Sequence, residues 1–310
     1  MARVVVVTSP GDALVNRLQT AFAGRQLDAT FVDGSDSFIL DRLDGVATLV
    51  VLCPVSTDLL HVAGERGVRQ VVVVSSAMVY GAWPNNPVPL TETALLRPPD
   101  SYRPVVELAI DLEERVQRWG EASGCAVCVL RPALAMAAEG TPVVVRALAA
   151  GVGRRAGEED PPAQFLHLDD LVSAVLTVVT TRAEGVYNVA PDGWISGEVM
   201  RGLTASPARL RLPGWIADAV GAFRWMLQRG PLPPGLRDYT RWPWVVSNDA
   251  LKSLGWAPTF TNEQAYVEGT ETPWYAMMSP KRRQEVALGA SFGLIILVIA
   301  VLVRRTKRWR

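Results

Sequence analysis

Lysine is almost missing from this chain of 310 residues: of 31 basic residues only Lys252, Lys281 and Lys307 are lysines, and none precedes position 252. Chemistry that needs an ammonium group is therefore excluded from everything before that point. Arginine is no replacement, because its head group is a fixed planar fork rather than a point charge. Cysteine is scarce too. Cys53, Cys125 and Cys128 are an odd number, which argues against a disulfide framework and for a reducing compartment. Cys125-Ala-Val-Cys128 has the spacing of a redox or metal motif, but it lies in a predicted strand, where residues three apart point to opposite faces. Both read as core residues. His61 and His167 stand apart from thiols and carboxylates at ligand spacing, so no metal site is expected, and His167 reads as a core or hinge residue. The 31 basic and 31 acidic residues balance. The only dense basic cluster is the C-terminal tail, so nucleic acid is not an expected partner.

What the chain has in quantity is valine in short runs. Val71 to Gly81 reads VVVVSSAMVYG, a strand buried on both faces and closed by Ser75-Ser76, as in the centre of a parallel sheet. Ligands of open α/β sheets sit beyond the strand carboxyl ends, so Ser75, Ser76 and Tyr80 are candidates for a reaction centre. An equally simple reading is a strand end with a capped turn. Further strands are predicted over Arg3–Thr8, Asp28–Asp33, Val46–Leu52, Cys125–Leu130 and Gly185–Ala190. Helices are predicted over Gly11–Gly24, Thr57–Arg66, Arg103–Gly120 and Leu168–Val179. Arg103–Gly120 sets Val105, Leu108, Leu112, Val116 and Trp119 on one face, with Glu107, Asp111 and Glu114 towards solvent. Between Asp33 and Val46 there is room only for a short helix, Phe38–Leu43, so one β-α unit is pared down. Ala82–Pro99, with five prolines, is the kind of irregular segment kept for a binding rim or lid. The expected fold is α/β: a Rossmann-like doubly wound parallel sheet over 1–195 with a smaller C-terminal lobe, 196–275.

SSAMVYG, Pro89, Thr91-Glu92, Leu130-Arg131-Pro132, FLHLDDL at Phe165–Leu171, GVYNVA at Gly185–Ala190 and LGWAP at Leu254–Pro258 stand in one order. Together they resemble the extended short-chain dehydrogenase/reductase family, the NAD-dependent epimerase/dehydratases, over nearly everything before residue 270. The resemblance implies an NAD or NADP cofactor and a substrate that is commonly a nucleotide sugar. It also implies catalytic roles for Ser76 and Tyr102, and cofactor contacts from Gly11, Asp33, Cys53, Ser75 and Pro132. Yet the chain departs from the pattern. The turn Thr8-Ser9-Pro10-Gly11-Asp12-Ala13 is about four residues shorter than the family's and keeps one of its three glycines. Pro10 has no N–H to offer a phosphate, and Asp12 sets a negative charge where the anion would bind, though it suits the start of a helix. Asp33 matches the ribose-binding acid, but Asp33-Gly34-Ser35 is also ordinary turn chemistry. After Cys53-Pro54 little loop is left to flank a nicotinamide. The family's Tyr-x-x-x-Lys, in which the lysine lowers the tyrosine pKa, becomes Tyr102-Arg-Pro-Val-Val106. Ser76 and Tyr102 therefore read as remnants, and no cofactor is expected; NAD or NADP belongs to the alternative reading.

The C-terminal part completes the expectation. Pro213–Arg229 carries an aromatic stripe that reads as core or, as the lesser alternative, as a membrane-facing or partner-facing surface. After a linker, 276–285, Val286–Val303 is a run of 18 uncharged residues, about 27 Å as a helix and close to the thickness of a hydrocarbon core. A transmembrane helix is predicted there, followed by a basic tail, 304–310. The tail has more basic residues than the upstream flank, which by itself favours a cytoplasmic C-terminus. A body without an export signal favours the reverse, and a cytoplasmic body with a single-pass anchor is the preferred arrangement. The sequence thus predicts a membrane-anchored, non-catalytic binding or scaffold protein. Its expected partners are the lipid bilayer and a membrane or envelope-biosynthesis protein. The alternative is an active NAD(P)-dependent epimerase, dehydratase or reductase acting on a nucleotide sugar or related envelope precursor.

Overall fold

Four runs of valine and leucine set the architecture, because successive side chains of a strand face opposite ways and each run can feed two cores at once. In the computed structural model, which describes residues 3–9, 13–36, 39–97, 103–152, 161–203 and 236–270, these runs are β1 (Arg3–Thr8), β3 (Val46–Val51), β4 (Gln70–Val74) and β5 (Ala126–Pro132). With β2 (Ala29–Asp33) and β8 (Gly185–Val189) they form a six-stranded, all-parallel sheet in the order β2-β1-β3-β4-β5-β8. Val4, Val6, Val50, Val72, Cys128 and Leu130 pack on one side against α1 (Ala13–Gly24) and α5 (Leu168–Thr181). Val5, Val7, Leu49, Val51, Val71, Val73, Val127 and Val129 pack on the other against α2 (Thr57–Glu65) and α3 (Arg103–Ser123). Each fully buried valine or leucine contributes roughly 1.5–3 kcal/mol, so the central strands hold both layers to the sheet. The switch of direction falls between β1 and β3, where ligands of such sheets bind.

The predicted strands and helices agree with these elements to within a few residues. The pared-down unit is a 3-10 helix, Ile39–Leu43, and β2 is consequently an edge strand. Three details differ. Leu108 is 56% exposed, whereas Glu113, unnoticed in the sequence, is 1% exposed; α3 buries its Val106, Leu112/Glu113, Val116 stripe. Cys125 precedes β5 and is half-buried, while Cys128 is fully buried. A second, two-stranded parallel sheet joins β6 (Leu134–Met136) to β7 (Phe165–His167), and α4 (Val143–Gly151) follows β6; neither was legible from periodicity.

Beyond α6 (Gly197–Leu203), residues 236–270 return to the main body through α7 (Asp249–Lys252) and α8 (Asn262–Gly269). Val246 bridges Leu90, and Asp170 at the start of α5 accepts three hydrogen bonds from Thr259 and Phe260. The Gly11-Asp12 turn, Tyr102, the Pro213–Arg229 stripe and the Val286–Val303 run lie outside the described residues. Among the described residues no helix is long and apolar enough to cross a membrane.

Candidate functional site

The carboxyl ends of β4, β5 and β8 carry a buried polar cluster that no single motif announces. Arg131 on β5 shares a strand face with Val127 and Val129, so it points into the α3 layer, where Glu113 faces it. The pair is bidentate, with Arg131 Nη2 donating to Glu113 Oε2 at 2.6 Å and Nε reaching both carboxylate oxygens at 3.1–3.2 Å. Arg131 Nη1 also donates to the Tyr80 hydroxyl at 2.9 Å, and its guanidinium lies 4.9 Å from the Tyr80 ring centroid. Tyr80 in turn donates to Asn188 Oδ1 at 2.8 Å, and Asn188 N–H donates to Glu92 at 2.9 Å. Burial pushes the Arg131 pKa down, but the carboxylate of Glu113 and the Tyr80 oxygen more than reverse this, so it is raised overall. Burial raises the Tyr80 pKa, against the opposing pull of Arg131. A tyrosine held neutral and bonded at both ends of its hydroxyl is an anchor rather than a proton donor for a substrate.

Both serines find partners here. Ser75 donates its hydroxyl to Glu113. Ser76 caps the 3-10 helix Ala77–Tyr80, its Oγ accepting from Met78 N–H at 3.2 Å. These are the contacts of a strand end and a capped turn. The segment after them is tied down at several points. A Cβ on Gly81, which has φ +69°, would lie 2.0 Å from the Arg97 carbonyl oxygen. Trp83 Nε1 donates to that same oxygen at 2.7 Å. Asn86 ties Gly81, Pro243 and Arg97 together.

The expected cofactor contacts scatter along the sheet edge. Asp33 ends β2 beside Thr8, the place the ribose-binding acid would hold, and one of its oxygens accepts from both the hydroxyl and the N–H of Ser35. Those two bonds lower its pKa. Cys53 is buried, and its Sγ would sit 2.8 Å from a Cβ on Gly34, so it packs the strand end closed. Pro132 is buried at the end of β5 opposite Val189. Gly11 and Tyr102 lie outside the described residues. Among the described residues no group of histidine, cysteine, aspartate and glutamate is placed to hold a metal ion. His167 is buried, caps α5 by accepting from Asp169 N–H and stacks on Phe260.

At the start of α1 lies an open crevice of about 980 Å³, reaching from Thr8, Ser9 and Ala13 past Arg17 to Glu139 and Asp169. Gly140 lies directly on Ala13, where an added Cβ would come within 1.9 Å. Two carboxylates and one guanidinium, already paired with Asp169, line this space. A dinucleotide pyrophosphate is doubly negative and needs inward N–H groups and cations; the described residues here do not fit it.

A model of the NAD dependent epimerase/dehydratase family matches residues 18–190. Among curated proteins none matches the chain. The chain is similar to the UDP-glucose 4-epimerase of Thermus thermophilus, solved in complex with NAD (TM-score 0.61, 16% identity, 86% of this chain and 97% of that one). It is similar also to a short-chain dehydrogenase/reductase superfamily protein of Agrobacterium tumefaciens with bound NAD (TM-score 0.61, 17% identity, 93% and 100%). A third similarity is to RMD of Pseudomonas aeruginosa complexed with NADPH (TM-score 0.60, 19% identity, 86% and 97%). At such identities the likeness is one of fold.

Proposed function

The chain belongs to the NAD dependent epimerase/dehydratase family, and from that premise we propose that it is a non-catalytic member, a binding or scaffold protein held at a membrane by Val286–Val303. One observation carries the loss of catalysis. The helix that should present the proton-exchanging tyrosine and its lysine, α3, contains neither between Arg103 and Ser123. The position four residues past Tyr102 is Val106, 3% exposed. Without the lysine nothing lowers a tyrosine pKa towards neutrality, and Ser75 and Ser76 are engaged by Glu113 and the backbone. The scaffold would use the fold's strand-end face or its anchor to hold a membrane or envelope-biosynthesis partner.

The test is direct: the purified full chain is heated with NAD, NADH, NADP or NADPH, and assayed for hydride transfer and for epimerisation of nucleotide sugars. A ligand at a hundred times its dissociation constant adds ~2.7 kcal/mol, a melting shift of several degrees. No saturable shift and no turnover are expected. A shift with any of the four would overturn the non-catalytic reading. It would favour the alternative, an NAD(P)-dependent epimerase, dehydratase or reductase of the kind the solved neighbours represent. The position of Asp33 at the end of β2 supports that alternative. Val106→Lys is expected to gain no activity, since it buries an ammonium with no described partner.

A further inference from the structure

Among the described residues the crevice at the start of α1 is walled by α1, by α5 and by the turn between β6 and α4, which meets α1 where Gly140 lies on Ala13. That turn is fixed. The buried Thr141 hydroxyl donates to the Ala137 carbonyl at 2.6 Å and accepts from the Ala137 N–H at 3.0 Å, and Gly140 has φ +81°. Glu139 is thereby held over the start of the helix. Val172 and Leu176, 6% and 7% exposed, form an aliphatic floor. Two of the lining hydroxyls are already spent: Thr8 donates to the Val32 carbonyl, and Ser173 donates to Asp170 and accepts from Trp256. Thr20 donates to the Asn16 carbonyl and keeps its lone pairs. The exposed side chains of Ser9, Asn16 and Glu139 have no hydrogen-bond partner among the described residues. The Arg17–Asp169 pair uses one donor of the guanidinium fork and one carboxylate oxygen.

We propose that this crevice binds an uncharged glycan, a run of sugar rings carrying neither nucleotide nor phosphate. The proposal names a ligand class for the binding role put forward above and rests on that reading. Charge excludes an anion, because Glu139 and Asp169 outnumber Arg17. A wholly apolar ligand is excluded as well, since it would take water from Ser9, Asn16 and Glu139 and return no hydrogen bond. A sugar hydroxyl both donates and accepts. Neighbouring hydroxyls can therefore be served together by the Asn16 amide, the Glu139 carboxylate and the mixed donor and acceptor set of Arg17–Asp169, while the C–H face of a ring packs on Val172 and Leu176. The volume of about 980 Å³ stands at the upper end of small-molecule pockets, roughly 300–1,000 Å³, which suits an oligosaccharide better than a single sugar.

Calorimetric titration of the purified full chain uses neutral trisaccharides of glucose, galactose, mannose and N-acetylglucosamine, with trigalacturonate and pyrophosphate as charged counterparts. Saturable binding of at least one neutral trisaccharide is expected, at least about tenfold tighter than trigalacturonate. Asn16→Ala and Glu139→Ala are each expected to weaken it about tenfold with an unchanged melt. Leu95→Ala, exposed and outside the crevice, is expected to leave it unaltered. Glu139→Gln keeps a planar acceptor but removes the charge, and is expected to shrink the preference for neutral sugar over uronate by about fivefold. No binding of any neutral trisaccharide, binding that both alanine variants leave intact, or pyrophosphate bound more tightly than every neutral sugar would each overturn the proposal. The nucleotide titration fails separately: a melting shift with NAD(H) or NADP(H) beside intact glycan binding would overturn the non-catalytic reading and leave the ligand of the crevice standing.

Discussion

Glu113 and Arg131 are 1% and 4% exposed, and at that depth a charge without its partner is far costlier than a pair is favourable. Removing one member of a buried pair typically costs about 3–5 kcal/mol, while replacing both with apolar residues of similar volume is often neutral or stabilising. Arg131→Met alone is therefore expected to lower unfolding free energy by about that amount. The double variant Glu113→Leu, Arg131→Met is expected to recover most of it, and urea titrations with equal slopes would check both. Some loss will remain in the double variant, because the Tyr80 hydroxyl loses the donor Arg131 supplies. Cys128 makes a second prediction at this scale. Burial pushes its thiol up from 9.0 to about 12. The unfolded thiol gives up its proton from about pH 9 and the folded one only near 12, so stability falls as pH rises through that window. Cys128→Ala is expected to flatten this alkaline part of the stability curve. In the parent at neutral pH, Cys125, which is half-buried, should react with a thiol reagent before Cys128.

Among elements, α5 organises more than its own length. His167 caps it, and Asp170 in its first turn reaches the 254–260 segment: Oδ1 accepts from Thr259 N–H at 2.9 Å and Oγ1 at 2.6 Å, and Oδ2 from Phe260 N–H at 3.0 Å. Trp256 Nε1 donates to Ser173 Oγ at 2.8 Å one turn later. The helix thus fixes the entry to α8, whose own start has a capping box of Thr261 and Gln264. Asp170→Asn keeps the shape but turns one acceptor into a donor facing an N–H or a hydroxyl. A loss of about 1.5–3 kcal/mol is expected, with faster hydrogen exchange at Thr259 and Phe260 than in β3. Uniform exchange throughout the chain would show that α5 and the 254–260 segment do not open as a separate unit.

For the whole molecule the prediction concerns where the chain resides. Val286–Val303 carries no charge to oppose insertion. Its leucine, isoleucine, valine and phenylalanine residues each favour a central membrane position by roughly 0.3–0.6 kcal/mol. The full chain is expected to remain in the membrane fraction through alkaline carbonate and high salt, and deletion from Val286 onward is expected to release it. Extraction of the intact chain by carbonate would instead indicate a peripheral, charge-held tail. A cysteine added after Arg310 and labelled by an impermeant reagent in intact cells would report an external tail and a cytoplasmic body; protection until lysis would contradict that arrangement.

The sequence alone determined the α/β class, the position of the six strands of the main sheet, the pared-down unit after Asp33 and the absence of any lysine before position 252. Each rests on local spacing or on the bare presence of a residue type, which no tertiary contact can change. Only the folded chain decided that Glu113 belongs to the core. Its helix face is shared with solvent-facing neighbours, and its partner Arg131 comes from a strand 18 residues away. Likewise, two adjacent serines spell the same dipeptide whether they hold a substrate or hold the protein. Only the fold brings Glu113 against Ser75 and Met78 N–H against Ser76, because hydrogen bonds are assigned by distance and direction in space. The same holds for β2: a short connection after it is visible in the sequence, but that it ends the described sheet follows from the strand order.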